Sequence, residues 1–167
     1  MTPAELLIDS FERVRESVEA VLDGLTGDEL VARPAPDANT IAWLVWHLTR
    51  VEDDHVAEVA GREQVWTADG FARRFDLPFQ DVAIGYGQTT DEVGQVHASA
   101  ELLGEYFAAV RVRTTDYLAG LTPDDLDRVV DDRWDPPVTL GVRLVSVVND
   151  ATQHVGQAAY GRGLVTR

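Results

Sequence analysis

With 167 residues, 45% hydrophobic and 26% charged, the chain has an ordinary globular composition and the length of one domain, 1–167. A formal charge of −15, spread along the chain, repels a nucleic-acid backbone over most of the surface. There is no cysteine and all 14 basic side chains are arginine, which excludes disulfides, thiolate ligands, a cysteine nucleophile and a lysine Schiff base.

Thr2 followed by Pro3 and Glu5 reads as a helix start, and Leu7, Phe11, Val14, Val18, Val21 and Leu25 recur at spacings of four and three, predicting an amphipathic helix over residues 3–23. Acidic residues interrupt its apolar positions, unlike a signal peptide, and no run approaches the ~18 apolar residues that cross a bilayer. The expected location is the cytoplasm, with no membrane partner. Gly24 and Gly27 break the helix, and ARPAPDAN is a loop. A second helix, capped by Asn39 or Thr40, runs through Ile41, Leu44, Val45, Leu48 and Val51 to about Ala60, where Gly61 ends it.

Residues 61–88 form a connection rich in Gly, Trp, Phe and Tyr, with a short helix expected around Ala68–Phe75. Links inside a compact bundle usually take about 2–8 residues. This one is long enough to cross the bundle and let the second and third helices run parallel. The third helix is expected to start at TTDEV and continue to about Ala119. GLTPDDL predicts a short helical turn, Pro136–Pro137 prevents a helix, and Thr139 caps a last helix from Leu140 to about Tyr160. No alternating strand pattern persists. The expected fold class is all-α, a four-helix bundle with a long crossover between helices two and three.

The last helix carries two polar residues one turn apart in an apolar run, Asp150 and His154 in LGVRLVSVVNDATQHVGQ. Residues four apart share a helix face, so one divalent ion can reach both side chains. The best candidate for a third ligand is His47, in the apolar run TIAWLVWHL. His55 points about 80° away from His47 at the helical step of ~100° per residue, outside this site. Two imidazoles and a carboxylate suit Zn²⁺, or Ni²⁺ or another first-row ion, and three protein ligands leave a position open. Helical arithmetic adds three neighbours. Asp54, seven residues after His47, could accept from an imidazole N–H, and Gln157, three past His154, could contact substrate. Arg143, seven before Asp150, could pair with a substrate or cofactor carboxylate. Trp43, Trp46, Trp66 and Trp134 read as core or loop anchors.

WLVWHLTRVEDDHV in the second helix, with QHVGQ in the last, resembles the DinB-like superfamily of bacterial four-helix proteins. GLTPDDLDRVVDDRWDPPVTLGVRLVSVVNDATQHVGQAAYGRGL resembles the C-terminal half of its mycothiol-dependent branch, the DUF664 proteins, related to the metal-binding domain of mycothiol-dependent maleylpyruvate isomerase. The resemblance covers nearly the whole chain. It implies a bundle with a long crossover and a metal held by one histidine of the second helix and a pair four residues apart in the fourth. That pair is two histidines in much of the superfamily and begins with glutamate in the isomerases; Asp150 departs from both, one methylene shorter than glutamate.

The resemblance further implies metal-dependent transferases or isomerases that use mycothiol or, in other lineages, bacillithiol or glutathione. The expected function is therefore metal-dependent S-transfer, with mycothiol as cosubstrate and an electrophilic small molecule as partner. The ion held by His47, Asp150 and His154 would activate the thiol, and the electrophile would enter beside the 61–88 connection and the Trp134 loop. Two other readings stand beside it: a non-catalytic small-molecule-binding or stress-response bundle, and a hydrolase working through activated water. A homodimer joined through an apolar bundle face is also open.

Overall fold

The computed structural model describes residues 1–166, and its first helix, α1 (Pro3–Leu22), starts at the predicted cap. The Thr2 hydroxyl accepts from the Glu5 amide at 3.1 Å while the Glu5 carboxylate accepts from the Thr2 amide at 2.7 Å, a reciprocal capping box. Its buried stripe is Leu7, Phe11, Val14, Val18, Val21 and Leu22. A one-turn helix, α2 (Gly27–Val31), follows between the end of α1 and the expected ARPAPDAN loop, held by a second box between Thr26 and Glu29. Next comes α3 (Ile41–Ala60), capped by Thr40 and ended by Gly61 in the left-handed conformation at φ 63°. Every residue of α3 from Ile41 to Asp53 is buried, so it is the central helix, wrapped on all sides.

The connection after Gly61 is longer than its sequence suggests. Instead of one short helix at Ala68–Phe75 it makes two turns, α4 (Val65–Ala68) and α5 (Phe71–Phe75), parted by Gly70 at φ 76°. TTDEV does not begin the third long helix. It forms an isolated turn, α6 (Thr90–Val93), boxed by Thr89 and Glu92 and stopped at Gly94. The long helix α7 (Ala100–Ala119) restarts at Ser99, whose hydroxyl accepts from the Leu102 amide. Two N-caps within ten residues divide what periodicity alone joins, and Val93 and Val96, between the caps, are buried in the core. Beyond α7 come a 3-10 turn, Pro123–Asp127, and a hairpin of β1 (Val129–Asp131) and β2 (Val138–Thr139), antiparallel with Val129 opposite Thr139. The sequence shows no such strands, because two- and three-residue strands are too short to alternate. Thr139 then caps α8 (Leu140–Val165).

The four long helices pack as a bundle in which α3 and α1 each lie against α7 and α8. Contacts give the directions. Arg50 and Asp53 meet Tyr106, Glu52 meets Arg111 and Val59 meets Tyr117, so α3 and α7 run parallel. His47 faces His154 while Glu58 meets Arg143, so α3 and α8 run antiparallel. The connection therefore returns the chain along the bundle, as its length predicts, and brings residues 81–88 to the end where α3 begins. No described helix is long and apolar enough to cross a membrane.

Candidate metal centre

Antiparallel packing of α3 on α8 sets His47 across from His154 and, one turn earlier, Asp150. The two imidazole centroids are 4.6 Å apart, and one ligand atom from each of His47, Asp150 and His154 can be chosen so that all lie within 4.8 Å of one another. Such a cluster is close enough to gather around a single ion. The side chains of Asp150 and His154 remain 31% and 18% exposed, while His47 is buried, so the cluster is backed by core on one side and reachable from the other.

Both imidazoles are held by their Nδ1 atoms. His47 Nδ1 lies 2.5 Å from the Ile84 carbonyl and His154 Nδ1 lies 2.8 Å from the Asp150 carbonyl. A carbonyl only accepts, so each Nδ1 carries the hydrogen and each Nε2 is left with a free lone pair. Such backbone anchors orient metal-binding histidines. The Asp150 carboxylate completes the donor set: its Oδ2 is buried and has no hydrogen-bond partner, although His154 Nδ1 is 3.2 Å away, because that single hydrogen is committed to the nearer carbonyl. A buried carboxylate oxygen left without a partner costs free energy that a cation would relieve. The three residues fit a divalent ion.

Burial pushes the His47 pKa below its ordinary value against the opposing Ile84 carbonyl, and His154 lowers it further. Burial also works against protonating His154, but the Asp150 carboxylate and carbonyl outweigh it and raise that pKa.

The wall behind His47 comes from the connection. Trp43 stacks on the His47 ring with centroids 4.5 Å apart, and the Trp43 indole N–H donates to Gln88 Oε1 at 2.7 Å. Gly85 lies close to the Nδ1 atom of His47 at φ 95°; a Cβ there would lie 2.5 Å from His47 Nδ1 and 3.1 and 3.2 Å from the Trp46 and Trp43 rings. Gly85→Ala is accordingly expected to lift the loop from α3, costing about 1–3 kcal/mol through backbone strain and overpacking. The checks are a lower urea midpoint and faster solvent exchange of the His47 Nδ1 hydrogen by NMR. Neither Gly85 nor Ile84 is legible in the sequence as part of the site, since AIGYGQTT reads only as loop.

The other candidates lie elsewhere. Asp54 does not reach His47; its Oδ1 accepts from Gln64 Nε2 at 2.7 Å, and the Ile84 carbonyl takes the position expected for it. Arg143 is buried and engaged within the chain, with Glu58 at 2.5 Å and Asp131 at 3.6 Å. Gln157 is exposed on α8. His55 stands apart from the three donors, as its helical angle predicts, with Nδ1 3.3 Å from Arg143 Nη1.

Burial and the Arg143 charge lower the His55 pKa against the pull of Asp54, Glu58 and Asp150. A histidine depressed in the folded state takes up its proton more readily when unfolded. Its contribution is therefore present above the ordinary value of 6.5 and lost as pH falls below it. Urea midpoints measured from about pH 7.5 to 5.5 should fall, and His55→Gln should make that fall shallower.

Residues 6–167 match a family model described as mycothiol-S-transferase. A crystal structure of a conserved protein from Enterococcus faecalis is similar at a TM-score of 0.93 and 34% sequence identity, covering 99% of this chain and 98% of that one. No curated protein matches the chain.

Proposed function

The chain belongs to the mycothiol-S-transferase family, which implies mycothiol-dependent S-transfer, and on that premise we propose that it joins mycothiol to an electrophilic small molecule with a divalent ion held by His47, Asp150 and His154. The observation that supports the ion's part in this reading is the gathering of ligand atoms of His47, Asp150 and His154 within 4.8 Å of one another, with a buried Asp150 oxygen that has no hydrogen-bond partner. Zn²⁺ is the ion this nitrogen and oxygen set suits best.

When bound, the ion supplies a Lewis acid that lowers the pKa of a thiol entering its open position. The chain's own residues do the rest. The Ile84 and Asp150 carbonyls keep both imidazoles aimed inward, and Trp43 and the Gly85 loop close the back of the site, excluding water from the buried side of His47. With no cysteine in the chain, the sulfur comes from the cosubstrate. In the transfer the S–H proton leaves to solvent, sulfur forms a bond to the electrophilic carbon, and that carbon's leaving group departs with its electron pair.

The test compares chelator-stripped and ion-reloaded protein, each given mycothiol and monochlorobimane. Turnover is expected only when both ion and thiol are present. An equal rate in stripped protein overturns the ion's role, and turnover without thiol replaces S-transfer with hydrolysis.

A further inference from the structure

We propose that the groove between α3 and α8, floored by Arg143 and walled by the β1–β2 hairpin, is the subsite for the neutral hydroxyl-rich part of the thiol cosubstrate; this rests on the mycothiol reading above. Mycothiol is an N-acetylcysteine joined by an amide to glucosamine, which carries inositol. Apart from the sulfur it is uncharged, and two rings of hydroxyl groups must be recognised by hydrogen bonds and by contact with their C–H faces.

The groove encloses about 670 Å³, within the range of small-molecule sites. Its charged lining is balanced: Asp54, Glu58 and Asp131 against Arg62, Arg133 and Arg143. On a chain of net charge −15 that balance is local, and it suits a neutral ligand rather than an anion or a cation. The charges are also paired with one another. Arg133 grips Asp131 with Nε at 2.9 Å and Nη2 at 2.8 Å, and Arg143 reaches Glu58 at 2.5 Å and Asp131 at 3.6 Å. Arg143 and Asp131 are nearly buried at 10% and 7% side-chain exposure. The near-buried Arg143 and Asp131, held by their surroundings as well as by each other, retain donors and acceptors for hydroxyl groups at little further entropic cost. Because the Arg143 guanidinium donates to His55 Nδ1, that ring keeps its hydrogen on Nε2 as one more donor.

Trp134 supplies the apolar component. Its side chain, held out on the hairpin, lines the groove and is 66% exposed, although core packing uses the other three tryptophans of this chain. A rigid amphipathic ring at the mouth of a polar groove offers a flat face for the C–H side of a sugar.

Reach agrees with chemistry. Ser146, on the groove's edge, is one helical turn before Asp150, about 6 Å along α8. Five bonds separate the cysteine sulfur from the glucosamine ring, about 6 Å at ordinary bond lengths. A sulfur beside Asp150 therefore carries its sugar into the groove.

The probe is the cosubstrate without its thiol arm, inositol joined to N-acetylglucosamine, titrated into the ion-loaded full chain at millimolar concentration and followed by ligand-observed NMR. Saturable binding is expected, weakened about tenfold in Trp134→Ala, retained in Trp134→Phe, and unchanged in His154→Ala. Absence of saturable binding, or equal affinity in Trp134→Ala, overturns the subsite even where S-transfer proceeds. Intact sugar binding with no S-transfer supports the subsite and counts against the proposed reaction alone.

Discussion

His154→Ala is expected to lower mycothiol-dependent turnover about a thousandfold or more and to leave the purified protein without stoichiometric metal. The magnitude follows from what is removed. A Lewis acid supplies several kcal/mol at a reacting centre, and about 4 kcal/mol corresponds to three powers of ten in rate. The remaining pair, His47 and Asp150, sits on opposite helices with the shorter of the two acidic side chains, too few donors to hold an open site. The fold should survive, because the His154 side chain is only partly buried and its own bond is to a carbonyl within its helix. Elemental analysis alongside the bimane rate separates the effects: lost metal with a retained circular dichroism spectrum is the expected pair, and full metal content with an unchanged rate would remove His154 from the site. His55→Ala is the matched comparison, a histidine on α3 outside the three-donor cluster, and it should keep the metal.

How much of the fold and site is legible in the sequence depends on the range of the interaction. Asp150 and His154 show themselves because a helix converts sequence spacing into geometry, and His47 because a polar residue in an all-apolar run has to be explained. The parallel course of α3 and α7 follows from the length of their connection. What escaped is what the connection does at long range. Apolar periodicity running through Val93 and Val96 predicts a third helix longer than the one that forms, because the Thr89 and Ser99 caps decide where helix exists. Asp54 lies two turns from His47 on nearly one line, yet the Ile84 carbonyl, 37 residues away, supplies the hydrogen bond. A backbone acceptor leaves no mark on side-chain chemistry, so no residue pattern announces it.

Arg50 binds that connection to the bundle, and Arg50→Met is expected to be the most damaging single change away from the three ligands. Its guanidinium is fully buried, donating to the Ala83 carbonyl at 3.1 Å, the Asp81 carbonyl at 2.9 Å and Gln64 Oε1 at 2.7 Å, while its plane lies 4.9 Å from the Trp66 ring. Asp53, 3.8 Å from Arg50, accepts in addition from the Val65 and Trp66 amides and the Tyr106 hydroxyl, so it closes the start of α4. Methionine fills much of the volume but removes the donors to the Ala83 and Asp81 carbonyls and leaves the buried Asp53 carboxylate without its countercharge. Breaking one partner of a buried charged network costs about 3–5 kcal/mol, a large share of what a domain of this size possesses. The loss should spread to the site, because the residues Arg50 tethers, Asp81 and Ala83, directly precede Ile84 and Gly85. Once they drift, His47 loses its Nδ1 anchor and with it the fixed direction of Nε2. The expected signature is therefore double: a urea midpoint shifted by those kcal/mol and, under conditions where the variant is still folded, metal affinity reduced about 10–100-fold, as for the loss of an orienting partner. A destabilised variant that binds metal as tightly as the parent would show that α3 alone aims His47, and that the connection only covers it.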